Sequence, residues 1–187
     1  MGDNMKSLIV VLLILIFYPV SANCAITKEF GPYLGKVINA ESKEPIEGAV
    51  VLVVFYTEEY GPAGAITHFA DAVETVTDKN GEFKFPPHRI TLFRPLQGWV
   101  KHGYFTIFKP GYGCYPLHKD VKPIFVPNGT LPDSKYITLE LPELKTIQER
   151  RESTMCSPSS DISTEKCQEL INLINQERIF LGYKPIR

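Results

Sequence analysis

The sequence predicts an all-β fold, a small sandwich of short strands followed by a short helical extension. Three observations carry this. Ala49 to Tyr56 (AVVLVVFY) is a run of β-branched and aromatic residues at strand length. Further strand-length segments recur between Gly- and Pro-containing turns, in a chain with 13 Gly and 15 Pro. Apolar residues take up helical spacing only after Pro142. At 187 residues the chain suits one domain with an extension, and its formal net charge of −1 offers no global field for nucleic acid or an anionic membrane.

The first segment is an export leader over 1–22. Lys6 precedes the apolar run Leu8 to Phe17, which is followed by Pro19 and the small residues Ser21 and Ala22. That order matches a secretory signal peptide, and ten apolar residues are too few for a bilayer core of about 30 Å. Cleavage after Ala22 is expected, with a cut after Ala25 as the alternative and Met5 as an alternative start. Neither Asn23 nor Ser21 suits a bacterial lipobox, which argues against a lipid anchor at Cys24. No transmembrane span is expected in the mature chain.

Tyr33 to Asn39 is the first expected strand, ended by the polar turn 40–45, and Ala49 to Tyr56 is the buried central one. Residues 57–70 contain Gly61-Pro62 and Gly64 and are expected to form a loop. Ala72 to Thr77 and Glu82 to Phe85 flank Asp78-Lys79-Asn80-Gly81. That sequence is a strong hairpin signal because Asn and Gly tolerate positive φ. Tyr104 to Lys109 and Tyr136 to Leu141 complete the strands. In the extension, Pro142 to about Glu152 is expected to be helical. A second helix, capped by Asp161 or Ser163, would present Cys167, Leu170, Ile171 and Ile174 on one face and end at Gly182 and Pro185.

Export permits disulfides, and the four cysteines allow three pairings. Cys156 and Cys167 flank a Ser/Pro-rich loop and are the favoured pair, with Cys24–Cys114 as the remainder if cleavage spares Cys24. Such a closure would stabilise by about 3 kcal/mol.

Gly35-Lys36-Val37-Ile38-Asn39, Glu44-Pro45-Ile46-Glu47-Gly48-Ala49-Val50-Val51 and Thr75-Val76-Thr77-Asp78-Lys79-Asn80-Gly81-Glu82-Phe83 follow one another in a fixed order. With Phe108-Lys109-Pro110-Gly111-Tyr112, they resemble the carboxypeptidase regulatory-like domain. The resemblance implies a transthyretin-like Greek-key β-sandwich of about seven strands over 31–141, with 57–70 and 86–102 as insertions and 142–187 as the helical extension. It implies little about function, since fold and function are separable.

Motifs for chemistry are missing. A calcium loop starting at Asp78 would have Arg89 where a Glu is needed. His68, His88, His102 and His118 form no HExxH or His-x-His pair, and no cysteines are spaced CxxC. Neither GxSxG nor a Gly-rich phosphate loop occurs. The expectation is a chain that is not an enzyme and needs no cofactor or metal.

Phe93 to Phe125 stands apart. It holds eight of the 21 aromatics, and five basic residues against Asp120 leave a local charge of +4. One reading has the aromatics filling the core while the lysines face solvent. The other makes a binding face, with Trp99, Tyr112 and Tyr115 stacking on a ligand and Lys101, His102 and Lys119 attracting an anionic one. The sequence thus predicts an exported, periplasmic or extracellular binding module, with a bacterial envelope favoured. Its partner would be a glycan, a cell-envelope polymer or a protein, and no nucleic acid. Asn128-Gly129-Thr130, a glycosylation sequon, is discounted on that reading. The alternatives are an assembly subunit of a periplasmic or surface complex and an enzyme with a strand-borne metal site.

Overall fold

The computed structural model describes residues 25–62, 64–94, 97–121, 130–132, 134–153 and 156–186. The expected leader over 1–22, Cys24, Phe125 and Asn128 lie outside the described residues.

The fold is an all-β sandwich with a helical layer, and it has nine strands among the described residues rather than about seven. In order these are β1 (Ala25–Phe30), β2 (Tyr33–Asn39), β3 (Val50–Gly61), β4 (Gly64–Val76) and β5 (Glu82–Phe85). They are followed by β6 (His88–Phe93), β7 (Gln97–Trp99), β8 (Tyr104–Phe108) and β9 (Tyr136–Leu141). Two helices follow, α1 (Ile147–Ser153) and α2 (Gln168–Phe180), with a 3-10 turn at Thr164–Lys166. One sheet has the order β5-β2-β9, antiparallel on one side of β2 and parallel on the other. The other centres on β3, with β4 along one edge and β8 and β7 in succession along the opposite edge. A separate β1–β6 ribbon places Phe30 against Phe55, with ring centroids 4.4 Å apart.

The unbroken apolar run of β3 is explained by burial on both faces. Ala49, Val51, Val53 and Phe55 join the core between the sheets, together with Val37, Phe83, Phe105, Ile137 and Leu139. Val50, Leu52 and Val54 point the other way, into a second core with Phe108, Ile162, Leu170, Ile171 and Ile174. A strand covered on both sides loses the polar alternation of a solvated one. The helical extension is therefore a third layer whose apolar stripe completes β3.

The structure corrects several sequence expectations. Residues 57–70 do not form a loop. β3 and β4 continue as a paired hairpin from Tyr56↔Phe69 to Gly61↔Gly64, so the Gly-Pro signal marks only its tip. The segment 86–102 forms β6 and β7, and β6 pairs with β1, which had no sequence expectation. Asp78 to Gly81 makes its expected turn, with the Asp78 carboxylate accepting from the Asn80 and Glu82 N–H groups and Gly81 at φ +73°. It does not close a hairpin, because β4 pairs with β3 while β5 pairs with β2. The turn instead carries the chain from one sheet to the other. A Cβ at Gly81 would collide with the Val37 carbonyl, so close approach as well as φ requires glycine here.

The tail also differs. Pro142 and Glu143 are extended beside 111–113, and α1 begins only at Ile147. Leu170, Ile171 and Ile174 are buried on one face of α2 as their spacing predicts, with Cys167 buried just before its first residue, and Gly182 at φ +80° follows its end. Neither Asp161 nor Ser163 caps α2. The Glu74 carboxylate on β4 accepts from the Glu169 and Leu170 N–H groups at 2.7 and 3.1 Å, so the cap comes from the sheet the helix covers. No helix among the described residues is long and apolar enough to cross a membrane.

Candidate functional site

The six residues proposed from sequence as a binding face are separated by the fold. Trp99 on β7 pairs with Thr57, and its half-buried indole packs edge-on against Phe30 at 5.5 Å. Lys101 is exposed, and its carbonyl accepts from Lys28 Nζ at 2.9 Å. His102 is half-buried, with Nδ1 lacking a hydrogen-bond partner. Tyr115 lies elsewhere. It bridges Ile107, which pairs with Val51, six residues before Thr57 along β3 and so about 20 Å from it. Its ring is 1% exposed and belongs to the inter-sheet core, where burial pushes its hydroxyl pKa up. Tyr112 is half-buried against the same core, and its carbonyl accepts from Ser153 Oγ at 2.8 Å. Lys119 is exposed beside Leu117, His118 and Glu152, around a depression of about 460 Å³ floored by a disulfide. Tyr115 thus presents no surface for stacking, and Trp99 and Tyr112 spend much of theirs on the core.

That disulfide joins Cys114 to Cys156, with Cα atoms 6.3 Å apart, and replaces the expected Cys156–Cys167 pairing. Cys156 turns towards the end of the β8 connection, whereas Cys167 is fully buried under α2 as a free thiol. Burial, then the charge of Glu74, pushes that thiol's pKa up. The spacing of eleven residues suggested a local closure, but the intervening chain crosses the sheet face instead of folding back on itself.

This crossing segment roofs a second cleft. Cys156 is fastened by the disulfide and Ile162 is sunk into the second core, so residues 157–161 form a strap tied at both ends. Beneath it the sheet's outer face supplies Leu52, Val54 and Tyr56 from β3, Tyr104 and Thr106 from β8, and Thr67 from β4. The roof contributes Ser157, Pro158, Ser159, Asp161 and Ile162, enclosing about 420 Å³. Alternation along β3 and the register Val54↔Tyr104 and Leu52↔Thr106 bring these side chains to one face.

An aromatic row crosses the sheet at the cleft. β4 carries an extra residue, Ala70, because Phe55 pairs with Asp71 while Tyr56 pairs with Phe69. Phe69 therefore stands beside Tyr56, with centroids 6.4 Å apart and rings at 82°. On the other side Tyr104 meets Tyr56 at 5.6 Å and 81°. Burial pushes the Tyr56 hydroxyl pKa up, and the charge of Asp161 and the neighbouring Tyr104 add to the shift. Asp161, on the exposed rim, is the charged residue among the described lining residues; none of the others is Lys, Arg or His. Among the described residues of the proposed segment 93–125, Tyr104 and Thr106 reach this cleft. Tyr56, Thr67 and Asp161 were missed. Tyr56 did leave a trace in sequence, as the polar end of an otherwise apolar buried run.

Other polar clusters are committed to structure. Asp71 lies 2.9 Å from both His88 Nε2 and Lys166 Nζ and ties the 3-10 turn to β4. Arg94 donates to Thr57 Oγ1 and the Phe69 carbonyl, each at 2.7 Å. Among the described residues, no group of three or more His, Cys, Asp and Glu side chains is placed to hold a metal ion. Comparison with protein-family models, curated proteins and solved structures finds no match to this chain.

Proposed function

We propose that this chain is an exported, non-catalytic β-sandwich binding module whose ligand enters the cleft between the outer face of the β3 sheet and the 157–161 strap. One observation carries the reading. α2 shares a core with Val50, Leu52 and Val54 on the outer face of β3, and beside it two tyrosines, several hydroxyls and one carboxylate line a partly apolar cleft. A few polar groups on an apolar wall are the usual composition of a small-molecule site. The disulfide suits an oxidising compartment such as the periplasm or the exterior. Glycan, peptide and small-molecule ligands all fit a reading at this level.

The test is a thermal-shift and calorimetric screen of neutral oligosaccharides, anionic polysaccharides, peptides and small organic cations. Tyr56→Ala and Tyr104→Ala, checked for folding by circular dichroism, should lose the binding that wild type shows. Binding that survives both substitutions but is lost in Lys101→Ala or Lys119→Ala would move the site to the basic segment.

A second reading has one observation of its own. The β3–β4 hairpin projects Tyr60 and Ile66, 72% and 61% exposed, at its tip. That arm would suit docking within a larger assembly. Replacing both with Ser should then abolish assembly and leave the cleft variants' phenotype unchanged.

A further inference from the structure

We propose that the cleft selects an organic ammonium group, seated at the corner formed by Tyr56 and Tyr104 with Asp161 as its counter-ion. This rests on the cleft being the ligand site and names the chemistry it takes.

Ring geometry is the first reason. A sugar stacks on a flat aromatic face, which needs one ring open and parallel to it. Tyr56 and Tyr104 instead stand at 81°, and Phe69 meets Tyr56 at 82°, so the row forms a corner rather than a platform. Perpendicular aromatic walls are the arrangement that surrounds a cation with electron-rich surface.

Charge is the second. Asp161 makes the described lining net negative, which disfavours the anionic ligand that Lys101 and Lys119 suggested from sequence. Its position is set by its neighbour, since Ile162 is buried in the second core while the disulfide holds the strap's other end. Asp161 is therefore held on the lining of the cleft that Tyr56 also lines, and its charge adds to the upward shift that burial imposes on the phenol. Hydroxyls are the third reason. Thr67, Thr106 and Ser159 offer oxygens that can accept from an ammonium N–H.

Primary and quaternary ammonium ions share this chemistry and differ in the ability to donate hydrogen bonds. Putrescine and choline serve as the two probes, with 3,3-dimethylbutan-1-ol as the uncharged counterpart of choline. Calorimetry on the disulfide-bonded protein should show at least one cation binding with Kd below about 1 mM, and the neutral alcohol at least about tenfold more weakly. Asp161→Asn should weaken the cation by about fivefold to tenfold and flatten its dependence on NaCl, because an exposed ion pair is screened by salt. Tyr104→Ala should weaken it by at least about tenfold. Choline bound more tightly than putrescine assigns the selectivity to the rings, and the reverse assigns it to Asp161 and the hydroxyls. A cation should also lower the alkaline titration midpoint of Tyr56, read at 295 nm against Tyr56→Phe.

Equal affinity for choline and its neutral counterpart, or no change in Asp161→Asn, overturns the ammonium assignment. The cleft remains the ligand site in that case if a neutral ligand loses affinity in Tyr56→Ala and Tyr104→Ala. If those variants leave every bound ligand untouched, the cleft reading falls with the assignment.

Discussion

Asp71 shows how one side chain can serve several elements. It sits on β4, partly buried, with His88 of β6 on one carboxylate oxygen and Lys166 of the 3-10 turn on the other. Burial alone would raise its pKa, but the hydrogen bonds from Lys166, His88 and the Ala72 N–H outweigh that and hold it below the ordinary carboxylate value. A depressed folded-state pKa contributes stability above the unfolded value, near pH 4, and loses it as pH falls through the folded value. Asp71→Asn should therefore cost about 2 kcal/mol at pH 7, with the gap from wild type closing below about pH 4. Thermal melts from pH 2 to 7 decide this, and a gap that stays constant down to pH 2 would show that the charge contributes nothing. Lys145 and Glu41 pair at 2.7 Å too, but both are well exposed, and their interaction belongs with the weak surface pairs.

At the scale of elements, the helical extension is held by three kinds of contact. Glu74 caps the start of α2 from β4. Arg150 of α1 donates to both oxygens of Glu177 on α2 at 2.7 and 2.6 Å and lies 3.7 Å from the Phe180 ring centroid. Glu177 is 1% exposed, so removing its partner leaves a buried unpaired carboxylate. Arg150→Ala should cost about 3 kcal/mol, and pairing Arg150→Met with Glu177→Leu should recover most of it. Denaturant melts of the two variants compare these directly. The Cys114–Cys156 bond closes a separation of 42 residues, worth about 4 kcal/mol in the chain-entropy model. Reduction, or the double substitution to Ala, should lower stability by that order. It should also weaken any ligand held beneath the 157–161 strap, since one end of the strap would be released. Cys167→Ala removes a buried thiol without touching the strap, and it should leave ligand affinity as in wild type.

The whole molecule has three layers, and its third layer is not optional. Val50, Leu52, Val54, Ala72 and Phe108 would face water if the chain stopped after Leu141. A patch of that kind on a monomer drives association. Truncation after Leu141 should give aggregated or dye-binding protein rather than a soluble sandwich, as read by size-exclusion chromatography and ANS fluorescence. A monodisperse truncated protein with native stability would show instead that the extension is an independent appendage. The same layering locates the cleft. It opens where α2 stops covering β3 and the thinner strap takes over.

Strand identity was legible from residue type and local punctuation. Tyr33–Asn39, Glu82–Phe85 and Tyr136–Leu141 are bounded by their own turns, and α2 declares itself through Cys167, Leu170, Ile171 and Ile174. Such signals act over a few residues, so the chain can be read without its partners. Pairing was not legible. The Asn80–Gly81 turn has the same chemistry whether it joins paired strands or passes between sheets, and burial of β4 and β5 in different sheets decided the matter. The disulfide and the candidate site were hidden for the same reason. Cys114 and Cys156, like Tyr56, Tyr104 and Asp161, come from segments far apart in sequence; pairing of β3 with β8 sets the two tyrosines side by side, and packing of the third layer onto β3 brings Cys156 and Asp161 to them. The sequence by itself determined an all-β chain with a helical tail, because periodicity and turn chemistry are local. The tertiary structure alone decided which aromatics became core and which line a cleft, because that depends on what covers each face of the sheet.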